Sequence, residues 1–591
     1  MPSEDQGSVR SREVKSLYDV VIVGAGLAGL TLARQILLYT DKTVLLLDKR
    51  IDPPHDAPQK YGESLVQLGG YYLSKVLDLE EYLLINHYLK YNLRFYWPTA
   101  ALENRGFEDY SQLYARNVSN VPTYQLDRNQ LEEYLLRTNQ ENARCQFLGG
   151  VKDLSVDLSE TGGPHHIRFE GGEVKCSWVV DASGRGQVLK RQMELTEENA
   201  IRHGAIFFWV DGLVNIEKIT GRSHQEVLYD RNRKHTGHFP LFLATNHFCA
   251  EGQWFWVIPL HGKTSLGLVY DRKVVDESEV SNPKKTIDYV CRNWPMFARD
   301  LPQRKILDEG RLIDFSHGCR QTISPQGWAM VGESGRFLDP LYSPGSDLIA
   351  VYNTLIVDAI QISDRKILER KCELAEIIER VVYQAFIPSY AVSYDCLGDQ
   401  EAFTLKYVFE LSTYWGIMLP PLLNNLFTNH EFMPAYLYRI RDSVKPVNDT
   451  VQHFLSAFFQ WKKKRGTPAG GPNFIELFNA APLSAAEKSA YEVGLNVAEA
   501  LDLINRQIAN LDELARYILT HVYASVLGKP ELLTNASFIR SLDLHHDVFD
   551  VQAMEAAYQA HAGSTEVYPW KLDPHYLEQF IQMKAAAQVN Q

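Results

Sequence analysis

Three stretches of this chain, and one lysine, carry residue types whose spacing suits chemistry. Gly24-Ala25-Gly26-Leu27-Ala28-Gly29 follows a short β-branched run, Tyr18 to Val23, and leads into an apolar helical stretch, Leu30 to Leu38. A second apolar run, Thr43 to Leu47, ends at Asp48. Strand, glycine turn, helix, strand and acid, in that order, form a dinucleotide site. Gly24 permits the tight turn, Gly26 lets a pyrophosphate approach the backbone, Gly29 lets the helix pack on the strand, and Asp48 accepts from a ribose hydroxyl. The second stretch is Phe337-Leu338-Asp339-Pro340-Leu341-Tyr342-Ser343-Pro344-Gly345. Two prolines and a glycine within six residues exclude a helix there. It reads as a tight loop opening into a helix that begins near Asp347, and the N–H groups at such a helix start suit an anion. In the third, Trp254-Phe255-Trp256-Val257-Ile258-Pro259, strand alternation puts both indoles on one face. Lys90 stands among apolar residues at the start of a predicted strand, where desolvation would lower its pKa. Lys75, on a predicted helix before that strand, is the alternative cation. Each feature also has an ordinary reading as a turn, as strand packing or as a snorkelling lysine. Their coincidence in one chain favours a site.

The elements that must position these residues can be read in outline. Trp178 to Asp181 is a strand ending in an acid, followed by Ala182-Ser183-Gly184-Arg185, and Gly327 to Glu333 repeats that form just ahead of the proline loop. Asp127-Arg128 opens a helix. Strands are expected at Ala205 to Val210, Phe239 to Leu243, Gln253 to Leu260 and Thr264 to Tyr270, the last two joined as a hairpin at His261-Gly262-Lys263. Beyond residue 347 the pattern is helical: Ser346 to Ile362, then Ile367 to Ile387, stopping at Pro388. Ser484 and Glu487 read as a capping box opening long helices that continue to Leu527, and Gly466 to Pro472 as a flexible break. The expected fold is α/β, more fully an α+β composite: a Rossmann-like nucleotide domain (17–200 and 320–365), an inserted antiparallel substrate sheet (201–319), a helical C-terminal part (366–591) and a disordered tail (1–16).

Composition narrows the function class. The chain has 591 residues, 45% of them hydrophobic, enough for two or three domains, and a net charge of −13 without a long basic run. That argues against nucleic acid and against an anionic membrane surface. The basic cluster Lys462 to Arg465 sits at a predicted helix end, where cations are favoured. Seven scattered cysteines without a Cys-x-x-Cys pair argue for a reducing compartment, no disulfide framework and no metal site. The adjacent histidines of His545-His546-Asp547 do not converge on one helix face, so they too give no metal site. No run reaches the length of a membrane span, and no signal-type segment opens the chain, so a cytoplasmic enzyme is expected.

The segments at Asp181 and Glu333, with Arg128, resemble the second and third FAD segments and the arginine position of the aromatic-hydroxylase-like flavoproteins. Within that group the chain resembles the flavin-dependent halogenases. Trp254-Phe255-Trp256-Val257-Ile258-Pro259 matches their Trp-x-Trp-x-Ile-Pro signature in full, and Phe337, Pro340, Ser343 and Gly345 match their Phe-x-x-Pro-x-x-Ser-x-Gly signature. The likeness covers roughly residues 17 to 365. It implies FAD, delivered as FADH2 by a separate flavin reductase and held by Gly24, Gly26, Gly29, Asp48, Glu63, Arg128, Asp181 and Glu333. It implies chloride or bromide near Ser343 and Gly345, and a role for Trp254 and Trp256 in separating substrate from flavin. Halide, oxygen and reduced FAD would give hypohalous acid, relayed to a catalytic lysine beside an aromatic substrate. Lys90, followed by Tyr91, is the residue in the family's interval.

The departures from the family pattern shape the expectation. Tyr342 replaces the glutamate that tryptophan halogenases carry beside the motif serine, which points to a phenol- or pyrrole-like ring, free or tethered to a carrier protein. Pro344 offers no N–H to a halide, Asp347 adds negative charge at the helix start, and Glu333 replaces an aspartate that reaches the ribityl chain. These keep open an FAD-dependent monooxygenase that does not use halide. A third reading, a nucleotide-binding scaffold with a docking helical part, requires both signatures to be idle.

Overall fold

The computed structural model describes residues 14–51, 58–100, 102–115, 120–160, 164–229, 241–466, 474–477 and 481–581. The first sheet is the nucleotide-type sheet. β1 (Leu17–Val23) is followed by α1 (Leu27–Tyr39) and β2 (Val44–Leu47), then by α2 (Arg128–Glu141) and β3 (Gly172–Asp181). The order across the sheet is 323–324, 328–330, β3, β1, β2 and 145–148, and the four pairings from 328–330 onwards are parallel. Its strands read as unbroken apolar runs because both faces are covered. Val20 and Ile22 face α1 and the main core, while Val21 and Val23 face a second core under the hairpin strands 155–157 and 165–169. Asp127 caps α2, its carboxylate accepting from the backbone N–H groups of Asn129 and Gln130.

The second sheet has eight strands, in the order 306–313, 203–211, 263–271, 253–260, 245–250, 93–97, 111–114 and 474–476. It is antiparallel apart from two parallel pairings, 245–250 with 93–97 and 474–476 with 111–114. It is thus wider than the inserted segment, drawing strands from near the start of the chain and from the helical part. Residues 239–240 of the expected strand Phe239 to Leu243 lie outside the described residues. Leu241 to Leu243 form a 3-10 turn, and the strand is Thr245–Ala250 instead. The cause is local: the Asn246 side-chain amide donates to the carbonyls of Leu241 and Ala244, fixing a turn ahead of the strand.

Helices fill the remainder: α3 (Pro344–Ile360), α4 (Arg365–Ala391), α5 (Gln400–Thr413), α6 (Lys445–Arg465) and α7 (Val497–Leu527). α3 starts at Pro344, earlier than expected, because proline at the first helical position loses only an N–H that has no intrahelical partner anyway. α4 does not stop before Pro388 but runs through it to Ala391. The proline falls in the last turn, where one lost hydrogen bond costs less than unwinding the turn that buries Ser389 and Tyr390. Ser484 caps nothing; it sits inside the helix Ala481–Lys488. The capping box belongs to Asn496 and Glu499 and opens α7. Gly466 ends α6 in a left-handed conformation, and the rest of the expected flexible break, 467–472, lies outside the described residues, as does 1–13 of the expected tail. All seven cysteines are unpaired. No helix among the described residues is long and apolar enough to cross a membrane.

One glycine in the second sheet decides where an indole lies. Gly267 pairs with Trp256 across the strands, and a Cβ built on Gly267 would lie 2.3 Å from the indole ring. Gly267→Ala is expected to destabilise the protein by about 1–3 kcal/mol through this overpacking. Denaturant midpoints and near-ultraviolet circular dichroism would check it, an unchanged midpoint contradicting the packing argument.

Candidate active site

The glycine turn forms a cradle for a dinucleotide. Gly24 has φ +111°, and a Cβ on it would lie 2.3 Å from the Ala182 carbonyl oxygen, so β3 approaches the turn at a distance only glycine permits. A Cβ on Gly29 would fall 2.0 Å from the Gly24 carbonyl oxygen. Gly26 is the opposite case: a Cβ there meets nothing within 4 Å, which leaves room at the backbone. Asp48 holds the turn, accepting the Ala25 N–H at 2.7 Å, and is paired with Arg50. Arg50, Lys60 and Arg128 all approach Glu132, which is fully buried. Three cations around Asp48 and Glu132 leave a positive excess beside the open Gly26 backbone, and the Arg128 Nε has no partner. Room, charge and an orphan donor fit the pyrophosphate of FAD.

The other expected cofactor residues are placed around this turn in different ways. Asp181 is fully buried, and its carboxylate accepts the backbone N–H groups of Ser183 and Leu189, so it fixes the turn after β3. Glu333 accepts the Tyr61 hydroxyl at 2.7 Å, and burial raises its pKa. Gly332, next to it, packs on Ala28 of α1. Glu63 lies deeper, 2% exposed, accepting the Trp209 indole N–H at 2.7 Å; burial pushes it up to about 7.

The second half of the site is a mostly apolar chamber of about 120 Å³. Lys90 and Asp347 both line it. Lys90 ends the three-residue strand Tyr88–Lys90, is 4% exposed and donates to Ser64 Oγ at 3.0 Å. Ser64 in turn shares a hydrogen bond with Thr245, which also accepts from Gln125. Burial lowers the Lys90 ammonium to about 7, opposed by the charge of Asp347. Asp347, in the first turn of α3, accepts the Gly69 N–H at 2.8 Å and the Tyr414 hydroxyl, which itself accepts the Leu68 N–H. Burial raises its carboxyl to about 7. Lys75 points elsewhere: it is half-exposed on a π-turn and paired with Glu80.

The proline loop forms the floor of the chamber. Ser343 precedes α3 in a left-handed conformation, φ +57°, with its N–H on the Pro340 carbonyl at 2.9 Å. With Pro344 lacking an N–H, Gly345 and Ser346 carry the first free donors of the helix, and a Cβ on Gly345 would meet the Phe337 ring at 3.9 Å. Tyr342 donates its hydroxyl to Glu410 of α5 at 2.7 Å; Glu410 also receives Lys406 and Gln452. A carboxylate therefore stands beside the position where the motif has lost one, but it comes from another element.

The two indoles lie between these halves. Trp254 and Trp256 are 5.7 Å apart, on one face as alternation requires. On the cofactor side, Tyr61 packs on Phe207 at 5.0 Å and Phe207 on Trp256 at 6.3 Å. On the other side, Trp254 meets His247 at 5.1 Å, His247 stacks on Phe95 at 4.8 Å, and Phe95 meets the chamber residue Tyr407 at 4.8 Å. Trp254 donates to Tyr394, Tyr394 to Asp339, and Asp339 is 2.7 Å from His203 Nδ1. Trp256 donates to Ser265.

Several of these partners were silent in the sequence. Tyr414, Glu410 and Tyr394 lie in helical stretches whose pattern signals only burial. Two of the chamber's walls are π-turns, Tyr414–Met418 and Ile440–Val444, which no residue pattern announces. Ser64 had a weak signal, since it follows Glu63 in a short turn. His545 and His546 are solvent-facing, and no metal-holding cluster occurs among the described residues.

Two outcomes follow from this geometry. Gly26→Val should fold, since its φ of −90° suits valine and its side chain meets no protein atom, yet lose FAD; flavin fluorescence anisotropy reads this, and retained yellow colour would refute the cradle. Lys90→Met should be more stable than the parent below pH 7. Lys90 falls from 10.5 to about 7 on folding, so the folded chain carries the full cost of the buried ammonium below pH 7 and sheds it as pH rises towards 10.5. The advantage of the variant should fade over that range in denaturation at successive pH values; an advantage independent of pH would contradict the burial of a charge.

In sequence and in fold the chain is similar to known halogenases. A family model described as tryptophan halogenase matches residues 231–364. A flavin-dependent halogenase of Dictyostelium discoideum, chlA, is 24% identical over 445 residues, 70% of this chain and 73% of that one. A chlorinase of Pseudomonas fluorescens acting on a pyrrole-2-carbonyl peptidyl-carrier protein is 23% identical, over 56% of this chain and 72% of that one. Among solved structures, the halogenase PltM superposes with a TM-score of 0.62 at 16% identity, covering 83% of this chain and 96% of that one. The chain thus resembles the flavin-dependent halogenases, and these relatives imply a flavin-dependent oxidoreductase.

Proposed function

We propose that the protein halogenates an electron-rich aromatic ring, phenol- or pyrrole-like, presented free or on a carrier protein. The observation that carries this reading is Lys90, a buried ammonium facing an apolar chamber and held by Ser64. FAD, reduced by a separate reductase, supplies the oxygen chemistry that converts chloride or bromide to hypohalous acid. The chain's own residues then position and exclude. Ser343 with the Gly345 and Ser346 N–H groups offers donors to a halide at the start of α3. The row of rings through Trp256 and Trp254 keeps a ring substrate in the chamber away from the cofactor side. Lys90 hydrogen-bonds the hypohalous acid, or carries its halogen as a haloamine, and presents it to the ring. Ser64 and Thr245 fix its Nζ, and the apolar wall strengthens its polarisation of the halogen–oxygen bond. A carrier-bound substrate is supported by the pyrrole-carrier chlorinase among the relatives.

A second reading, oxygen transfer without halide, is favoured by two residues: Pro344, which removes a donor, and Asp347, whose buried carboxyl sits in the same turn. The discriminating experiment supplies reduced FAD and oxygen with a phenol in chloride, in bromide and without halide, and reads products by mass spectrometry. A halogen-dependent mass increase that falls by at least about 100-fold in Lys90→Ala, with FAD binding intact, is expected. Oxygen addition in all three media would establish the second reading instead.

A further inference from the structure

The chamber holds two carboxylates, and they differ in what they have left to offer. Glu410 already takes three donors, Tyr342, Lys406 and Gln452. Asp347 has one backbone donor, Gly69, and one hydroxyl donor, Tyr414. An ionised carboxylate has about four lone-pair sites, so roughly two remain. Among the described residues, the lysine that acts on it by charge is Lys90, whose Nζ is directed to Ser64. Tyr390 feels its charge but is not bonded to it. Lys445, also lining the chamber, is exposed and paired with Asp449. A buried acceptor with spare capacity, facing an apolar space beside a cation, fits a ligand that brings an apolar ring and one acidic O–H.

We propose that Asp347 accepts the hydroxyl of a phenolic substrate and takes its proton as the ring is attacked. This rests on the halogenation reading and deepens it, choosing a phenol over a pyrrole. The balance is complete. The ring's electron pair forms the carbon–halogen bond as the halogen–oxygen bond of hypohalous acid breaks, and the departing hydroxide leaves as water with a proton from Lys90. The phenolic proton passes to Asp347, giving a halogenated dienone. The proton at the attacked carbon then returns to Lys90, and the ring oxygen recovers its proton from Asp347. The geometry places the acceptor on the same helix turn as the halide donors, so the hydroxyl is oriented by the element that also starts the chemistry. Holding the substrate hydroxyl at Asp347 fixes which ring carbon faces Lys90.

The test needs neither halide nor reduced flavin. Equilibrium binding of 2-naphthol and its ether 2-methoxynaphthalene to the whole protein is followed by ligand fluorescence at pH 8.5. The parent should prefer the naphthol by about 10-fold, or 1.4 kcal/mol. Asp347→Asn should reduce that preference to within about twofold while binding the ether as the parent does. Preference retained in the variant, or absent in the parent, overturns the proposal. If the variant fails to fold, shown by lost ether binding, the parent at pH 5 decides. Asp347, raised to about 7, is then protonated and can donate equally to either oxygen, so the preference should vanish; persistence at pH 5 overturns the assignment. Failure of the halogenation assay alongside a naphthol preference that depends on Asp347 would remove the reaction reading and leave the recognition standing.

Discussion

An ammonium and a carboxyl group stand buried at one mostly apolar chamber, and much of the site is arranged to hold them. Removing an ammonium or a carboxylate from water costs several kcal/mol unless hydrogen bonds and an opposite charge compensate. Lys90 has Ser64, anchored by Thr245, and Asp347 has Gly69 and Tyr414, anchored by Leu68. Neither has enough to be held firmly charged, which is why both sit near neutral pH. Groups balanced in this way can exchange protons with a substrate without a large driving force, and such balance comes from burial.

The same economy joins the distant parts of the chain. Asp339, in the proline loop, receives Tyr394 from beyond α4 and faces His203 from the second sheet, while Tyr394 receives Trp254. The loop, the signature strand and the helical part are therefore tied at one buried carboxylate. Tyr342 and Glu410 make a second tie between the loop and α5. The helical part is not an appendage to a flavin fold; it supplies half of the chamber and the partners that hold the loop in shape.

What the sequence conveyed was whatever has a local cause. The glycine turn, the strand alternation that puts Trp254 and Trp256 on one face, and the proline loop are set by backbone sterics and period, and these read directly. The choice of Lys90 over Lys75 came from the interval of the resembled family together with flanking apolar residues, and Lys90 is the buried one of the two. Non-local relations were not legible. Nothing about Glu410 announces that it will meet Tyr342 across 68 residues, and nothing about Tyr414 announces a π-turn that turns its hydroxyl to Asp347. Asp347 itself was read as a repulsive charge at a helix start, because sequence shows the dipole but not the donors that surround the side chain. The misplaced capping box has a related origin: Ser-x-x-Glu occurs at 484 and Asn-x-x-Glu at 496, and only packing distinguishes them.

The apolar core that begins at Val20 in β1 continues without a break to Ile581 in the helical part. Chamber residues such as Tyr407, Trp415 and Met418 belong to it, so the surface that meets a substrate is the inner lining of the packing that keeps the chain folded. A residue change that enlarges the chamber for a new ring also opens a cavity in the core, and each such cavity weakens folding in proportion to its volume. Drift in substrate range is therefore paid from the margin of thermal stability, and lineages of this architecture can widen their range only as fast as compensating substitutions elsewhere restore that margin.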